Sequence, residues 1–233
     1  MRTGSFYDDL SDMSCLIYQG IKKNYKNFKY IESYSDKTGV YLEFFEYKGE
    51  GVIVICGTHD LKDLHNDLQM VLNFLPEQVD VVNLYYLKKK KDYNIILTGH
   101  SLGGSIAQII GNLNNAEAVT FEAYGTGDII SKKHDSKIRN YGNKFDPIFI
   151  SNFNQHVGKI FLMPIKANEK SMKRHMPNNY GKPSQAKECR ENISTNKYND
   201  FIKPSMLDGK KLIKQAIPKY TEKAAQILGK SLK

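Results

Sequence analysis

The sequence predicts an α/β fold in which a mostly parallel sheet is covered by helices on both faces. Two short apolar runs, at residues 52–56 and 94–98, lack the alternation of a half-exposed strand, so each is typical of a central strand buried on both sides. The segments between and after them carry apolar residues every three or four positions, which indicates helices. Strands that alternate with helices along a chain favour a parallel sheet.

The individual elements follow from the same patterns. A leading helix is expected within residues 6–30, and a hairpin is expected from the β-branched and aromatic stretch 40–47, the turn 48–51 and the run 52–56. Two helices, at 60–75 and 77–89, are expected on either side of Pro76. Beyond them the patterns predict a strand at 94–98, a helix at 102–113, and strands at 118–121 and near 137–142 and 158–165.

Charge divides the chain of 233 residues into a body and a tail. The net charge is +9, and residues 203–233 alone contain eight lysines against Asp208 and Glu222. We therefore expect one domain over residues 1–202 and a basic amphipathic helical tail over 203–233, kinked at Pro218. Such a tail suits an anionic membrane surface, and it equally suits a terminal helix packed on the domain with solvated lysines.

Composition excludes several classes of protein. Cys15, Cys56 and Cys189 are too few and too widely spaced for a disulfide framework or a metal-binding pattern, and Cys56 ends an apolar run as a small buried residue would. No apolar run reaches the length of a membrane-spanning helix, and residues 1–10 lack the features of a secretory signal. A cytoplasmic location, or export without a signal peptide, is therefore expected. The lysine-rich stretches lack interleaved aromatic residues, so nucleic acid is not an expected partner.

The segment between the strand at 94–98 and the helix at 102–113 carries the chemistry. It contains Gly99, Ser101 and Gly103 in the pattern G-x-S-x-G, in a strand–turn–helix context. A turn this tight strains the serine backbone and raises its hydroxyl clear of the sheet, while glycine is needed where a side chain would collide with the neighbouring strand. The helix that follows presents free N–H groups to a developing oxyanion. Ser101 is therefore the predicted nucleophile.

The segment GHSLGG, at residues 99–104, resembles the nucleophile elbow of the class 3 lipases, which include the fungal triacylglycerol lipases. Two further segments are similar to that family: CGT at 56–58 resembles its oxyanion strand, and NKFDPI at 143–148 resembles the segment that supplies its catalytic acid. The resemblance covers about residues 5–180. It implies an α/β-hydrolase-like fold and activity on the acyl esters of lipids.

A serine hydroxyl needs a histidine to take its proton and a carboxylate to orient that histidine. In α/β-hydrolases the chain order is Ser, then Asp or Glu, then His. Asp146, which precedes Pro147 after a predicted strand, is the preferred acid, with Asp128 as the alternative. His175 is the preferred base because its surroundings are similar to the family's catalytic histidine segment, with His156 as the alternative.

His134 precedes the preferred acid and so has the wrong order, and Asp135 is expected to be a solvated loop charge. The oxyanion hole is expected to combine the N–H groups of Thr58 and Leu102, and the Thr58 hydroxyl also suits a helix N-cap.

The predicted reaction is hydrolysis of acylglycerol or phospholipid esters through an acyl-enzyme, with no metal and no organic cofactor. One alternative is an esterase, thioesterase or acyltransferase with a small soluble substrate. Another is a secreted lipase effector, antibacterial or host-directed, that an inhibitor protein neutralises.

Overall fold

The computed structural model describes residues 2–57, 64–130, 134–164, 175 and 181–190. Their strands form one eight-stranded sheet whose spatial order follows the chain order. The strands are β1 (Lys29–Ser35), β2 (Tyr41–Tyr47), β3 (Glu50–Ile55), β4 (Ile95–His100), β5 (Glu117–Phe121), β6 (Ile138–Gly142), β7 (Lys159–Leu162) and β8 (Lys187–Cys189).

The centre of this sheet is parallel and its two edges are antiparallel. Strands β3 to β7 pair in parallel, whereas β1, β2 and β3 form an antiparallel meander and β8 pairs antiparallel with β7. The predicted hairpin of β2 and β3 and the predicted mostly parallel sheet are confirmed. The carboxyl ends of β3 to β7 therefore lie along one edge of the sheet, where α/β folds bind their ligands.

Helices cover both faces, as predicted. The α-helices are α1 (Gly4–Leu16), α2 (Leu64–Lys89), α3 (Leu102–Asn114) and α4 (Pro147–Ser151). Alternate residues of β3 enter opposite cores: Ile53 and Ile55 pack in the cluster that contains α2 and α3, whereas Val52 and Val54 pack in the cluster that contains α1. A strand that is buried on both faces reads as a continuous apolar run, which explains the pattern at residues 52–56.

The helix boundaries differ from the sequence patterns in two places. Pro76 lies inside the single helix α2 instead of separating two helices. Proline removes one internal hydrogen bond, but Leu75, Val79 and Val82 on the same helix are buried against the sheet, and this packing stabilises a continuous helix. The leading helix occupies only the first part of the range in which it was predicted: α1 is followed by one 3₁₀ turn, and the chain then leaves the helix at Gly20, whose φ is +73°.

The edge strands β1 and β8 were not predicted from the sequence. Their burial is partial, so neither has the continuous apolar pattern of the central strands. The predicted basic tail, residues 203–233, lies outside the described residues and remains a prediction, as does the domain boundary near residue 202. No helix in the described part of the chain has the length and apolarity needed to cross a membrane.

Candidate active site

Ser101 lies in the turn between β4 and α3, at the carboxyl edge of the sheet. Its φ of 55° and ψ of −123° fall in a region that non-glycine residues rarely occupy, which is the strain predicted for this turn. A Cβ atom on Gly103 would lie 2.2 Å from the carbonyl oxygen of Ile55, and one on Gly99 would lie 2.5 Å from the carbonyl carbon of Gly103. Both glycines are therefore required by the closeness of the backbones of β3, β4 and α3.

Three side chains that are distant in sequence meet at this turn. His175 Nε2 lies 2.8 Å from Ser101 Oγ, and His175 Nδ1 lies 2.9 Å from Asp146 Oδ2. All three residues are buried. Because a carboxylate can only accept, the Nδ1 atom carries the imidazole proton and Nε2 is free to accept the serine proton. This is the protonation pattern that a general base requires.

The Asp146 carboxylate is itself held by backbone. Its Oδ1 atom accepts hydrogen bonds from the N–H groups of Ile148, at 2.9 Å, and Phe149, at 2.8 Å, so Asp146 is the N-cap of α4. Pro147 follows as the first residue of the helix. One carboxylate oxygen thus anchors the side chain, and the other is directed at His175.

The alternative residues from the sequence lie in other places. Asp128 accepts a hydrogen bond from the Asn152 side chain at 3.1 Å. His156 is buried, and its Nε2 atom lies 3.2 Å from the carbonyl oxygen of Phe149. His134 and Asp135 are exposed. None of these four side chains is hydrogen-bonded to Ser101, His175 or Asp146.

A second buried histidine, His100, contacts His175. His100 Nε2 is 2.8 Å from the carbonyl oxygen of His175, and His100 Nδ1 is 2.8 Å from the hydroxyl of Tyr18. A carbonyl can only accept, so Nε2 is the donor and the Tyr18 hydroxyl donates to Nδ1. Burial lowers the pKa of His100 well below its usual value, and the neighbouring His175 acts in the same direction. His100 is therefore neutral, and it holds the backbone of His175.

A buried carboxyl group, Glu122, lies beside Asp146. It directly follows β5, is fully buried, and accepts a hydrogen bond from the Asn143 backbone N–H at 3.0 Å. Burial, reinforced by the negative charge of Asp146, raises the pKa of Glu122 well above its usual value. The surroundings of this side chain thus favour its neutral form.

Of the two predicted oxyanion donors, Leu102 and Thr58, only Leu102 lies among the described residues. Leu102 is the first residue of α3, directly after Ser101. Its N–H belongs to the first turn of the helix, where the backbone donors have no partner within the helix, so it is available to an oxyanion. Thr58 lies outside the described residues and remains a prediction. In the described part of the chain, no group of three or more His, Cys, Asp and Glu residues could hold a metal ion.

Two site residues were missed by sequence reasoning. Glu122 had a detectable signal, since it follows β5 directly just as Ser101 follows β4, and strand ends at this edge carry site residues. Tyr18 had no detectable signal in the sequence, because its contact with His100 joins residues 82 positions apart.

The fold is shared with lipases of known structure, and part of the sequence is similar to that of an uncharacterized protein. An uncharacterized protein of Rickettsia prowazekii, RP165, is 27% identical over 150 residues, which cover 51% of this chain and 41% of that protein, so the chain spans about two fifths of this relative's length. The triacylglyceride lipase of Rhizomucor miehei has a similar structure, with a TM-score of 0.53, 17% identity, and coverage of 88% of this chain and 91% of that chain. Lip2 lipase from Yarrowia lipolytica also has a similar structure, with a TM-score of 0.51, 17% identity, and coverage of 78% of this chain and 84% of that chain. At this identity the structural matches establish the α/β-hydrolase fold.

The family is established by the sequence match. Residues 19–154, more than half of the chain, match the phospholipase-like family described as the Tle-like phospholipase domain. This range includes the elbow at Ser101 and the candidate acid Asp146, and His175 lies beyond it. The chain belongs to the Tle-like phospholipase family, and its domain is a lipase- and phospholipase-like serine hydrolase domain with the α/β-hydrolase fold.

Proposed function

We propose that this protein hydrolyses the acyl ester bonds of phospholipids, with Ser101 as nucleophile, His175 as general base and Asp146 as the acid that orients it. The observation that carries the proposal is the continuous hydrogen-bonded path from Ser101 Oγ through both nitrogens of His175 to Asp146 Oδ2. The phospholipase-like family supports a phospholipid over other esters.

The reaction proceeds through an acyl-enzyme. His175 Nε2 takes the Ser101 proton as Oγ attacks the ester carbonyl carbon, and the N–H groups of Leu102 and Thr58 donate hydrogen bonds to the resulting oxyanion. The carbonyl re-forms, the bond to the alcohol oxygen breaks, and the alcohol leaves with the proton from His175. Water then repeats the two steps on the acyl-enzyme, which releases the fatty acid and restores the serine hydroxyl.

The test is Ser101→Ala in the full chain, assayed on p-nitrophenyl butyrate and by fluorophosphonate labelling. We expect turnover to fall at least 1,000-fold and labelling to disappear, because the residual rate of a site without its nucleophile is small. Ser184→Ala is the matched control, since this serine is bonded to Asp8 and not to the triad, and it is expected to keep wild-type turnover. Wild-type turnover in Ser101→Ala would exclude Ser101 as the nucleophile.

The substrate class is tested separately with vesicles and emulsions. Mass spectrometry of products from a panel of phospholipids, triacylglycerols and a soluble thioester distinguishes the possibilities. Release of fatty acid and lysophospholipid from phospholipid vesicles, at a higher kcat/KM than from tributyrin, is expected. Hydrolysis confined to triacylglycerols or to soluble esters would reject a phospholipid substrate.

Two partner predictions accompany this proposal. The basic composition of residues 203–233 supports binding to an anionic membrane surface, and equal sedimentation of the full chain and a 1–202 truncation with phosphatidylglycerol vesicles would reject it. An inhibitor protein that neutralises a secreted form of the enzyme remains a prediction from the sequence.

A further inference from the structure

Glu122 occupies a backbone conformation that a glutamate does not favour. Its φ is +47°, in the left-handed region, where a residue with a side chain is strained by about 1–2 kcal/mol. Glycine would be unstrained there. The side chain is therefore kept at an energetic cost, and that cost points to a role for the carboxyl group.

The position of Glu122 is equivalent to that of Ser101 on the neighbouring strand. His100 at the end of β4 is paired with Phe121 at the end of β5, and Ser101 and Glu122 directly follow them. Ser101 donates its N–H to the Phe121 carbonyl at 3.0 Å, and Glu122 donates its N–H to the Tyr141 carbonyl on β6 at 2.9 Å. Glu122 thus lies between the nucleophile and the segment that carries the acid.

The carboxyl group of Glu122 anchors that acid segment. Its Oε2 atom accepts the N–H of Asn143, the first residue after β6. Asn143 in turn organises the turn to Asp146: its carbonyl accepts the Asp146 N–H at 2.9 Å, and its side-chain oxygen accepts the Phe145 N–H at 2.9 Å. Fixing Asn143 therefore fixes the backbone from which the Asp146 carboxylate reaches His175.

The environment of Glu122 favours its neutral form. The group is fully buried, and Asp146 is the charged group that acts on it. In the described residues, no lysine or arginine is paired with Glu122, and its Oε1 atom has no hydrogen-bond partner there. An uncharged carboxyl group still allows Oε2 to accept the Asn143 N–H. A second ionised carboxylate would repel Asp146 in a medium of low dielectric constant.

We propose that Glu122 is a positioning residue: as a neutral carboxylic acid it anchors the turn from Asn143 to Asp146 and so holds the Asp146 carboxylate against His175. This inference rests on the proposed ester hydrolysis for its kinetic consequences. It assigns to a further buried side chain the role of holding the triad without touching substrate.

The test compares Glu122→Gln with Glu122→Gly in the full chain. Glutamine keeps the carbonyl acceptor and a neutral group of the same shape, so kcat and KM should remain within about twofold of wild type at pH 7. Glycine suits the positive φ but removes the anchor, so kcat should fall about tenfold with unchanged KM, while the melting temperature stays within a few degrees. Glu43→Gln is the matched control, because Glu43 is another fully buried carboxyl that bonds Ile21 and Tyr41 away from the triad. It should leave kcat unchanged.

The pH profile identifies the charge state of Glu122. With a neutral Glu122, the acid limb of the kcat/KM profile has the same midpoint in wild type and Glu122→Gln. A midpoint that moves to lower pH in Glu122→Gln would show that an ionised Glu122 stabilises the imidazolium, and would overturn the proposal. A folded Glu122→Gly variant with wild-type kcat would overturn it as well.

A measurement without substrate separates this proposal from the proposed function. The proton on His175 Nδ1 is observed by NMR in the folded protein, and we expect its resonance to persist in Glu122→Gln and to be lost or displaced in Glu122→Gly. Wild-type protein that cleaves no ester would reject the proposed function, while this pattern of resonances would still support the positioning role. An identical resonance in all three proteins would reject the role alone.

Discussion

Replacement of Asp146 by asparagine tests the orientation of the base, and the structure defines how the new amide must lie. Oδ1 of Asp146 accepts two backbone N–H groups, from Ile148 and Phe149. An asparagine NH₂ at that position would face two donors and lose both hydrogen bonds, each worth about 1 kcal/mol. The amide oxygen therefore stays at the N-cap, and the NH₂ group is directed at His175.

This orientation selects the wrong tautomer of the imidazole. The NH₂ group can only donate, so His175 Nδ1 must become the acceptor and the proton moves to Nε2. Nε2 then faces Ser101 Oγ at 2.8 Å as a donor and cannot accept its proton. We expect kcat to fall about 10⁴-fold, which corresponds to about 5.5 kcal/mol in the activation free energy.

The assay is hydrolysis of p-nitrophenyl butyrate at pH 7, with urea unfolding measured in parallel. Asp146→Asn keeps the helix cap, so its free energy of unfolding should fall by less than about 1 kcal/mol, whereas Asp146→Ala also loses the cap and should fall by about 1–2 kcal/mol. Asp128→Asn is the control, because Asp128 contacts Asn152 and not His175, and kcat should stay within about threefold of wild type. A stable Asp146→Asn variant that keeps more than a tenth of wild-type kcat would refute this reasoning.

Three further predictions concern the support of the site and of the fold. Tyr18→Phe removes the donor that fixes the tautomer of His100, so kcat should fall severalfold with unchanged KM, and the free energy of unfolding should fall by about 1 kcal/mol. Steady-state kinetics with equal KM and kcat in wild type and Tyr18→Phe would contradict this role. Gly103→Ala places a Cβ atom 2.2 Å from the Ile55 carbonyl oxygen, so the free energy of unfolding, measured in urea, should fall by about 3 kcal/mol or more. In the control Gly49→Ala the new Cβ meets no atom within 4 Å, so the free energy of unfolding should fall by only about 1 kcal/mol, because of the positive φ at that position. Arg2→Gln removes the guanidinium that bonds Glu50 and Glu117 and that holds the pKa of Glu50 below its usual value, so the free energy of unfolding should fall by about 1–2 kcal/mol at pH 7. Because this stabilisation requires the ionised carboxylate, the difference in unfolding free energy between wild type and variant should narrow as the pH falls below about 4.5. A difference in unfolding free energy that does not change with pH would reject the assignment.

The central architecture could be predicted because its determinants are local. A strand buried on both faces must be apolar at every position, so β3 and β4 stand out from the sequence. The elbow at Ser101 is likewise contained in one strand, one turn and one helix, and its glycines mark where backbones approach closely. The strands at the edges and the continuity of α2 through Pro76 were not predictable in this way, because they depend on pairing and packing with distant segments.

The candidate acid and base were reached from the sequence with the help of local context, chain order and a family resemblance. Several carboxylates and histidines follow Ser101, and the local context that favours Asp146, the proline after it, does not show which carboxylate contacts a histidine. The structure distinguishes the two carboxylates, since Asp146 Oδ2 lies 2.9 Å from His175 Nδ1, whereas Asp128 accepts a hydrogen bond from the Asn152 side chain.

By itself, then, the sequence determined the candidate nucleophile and the type of sheet that carries it, since both are encoded by neighbouring residues. Tertiary structure alone decided which partners meet Ser101, and it alone brought Tyr18 beneath His100 and Glu122 beside Asp146. The physical reason is that hydrogen bonds and charge act over a few ångströms, while these partners are separated by tens of residues along the chain. Their contacts exist only once the carboxyl ends of the parallel strands are aligned at one edge of the sheet.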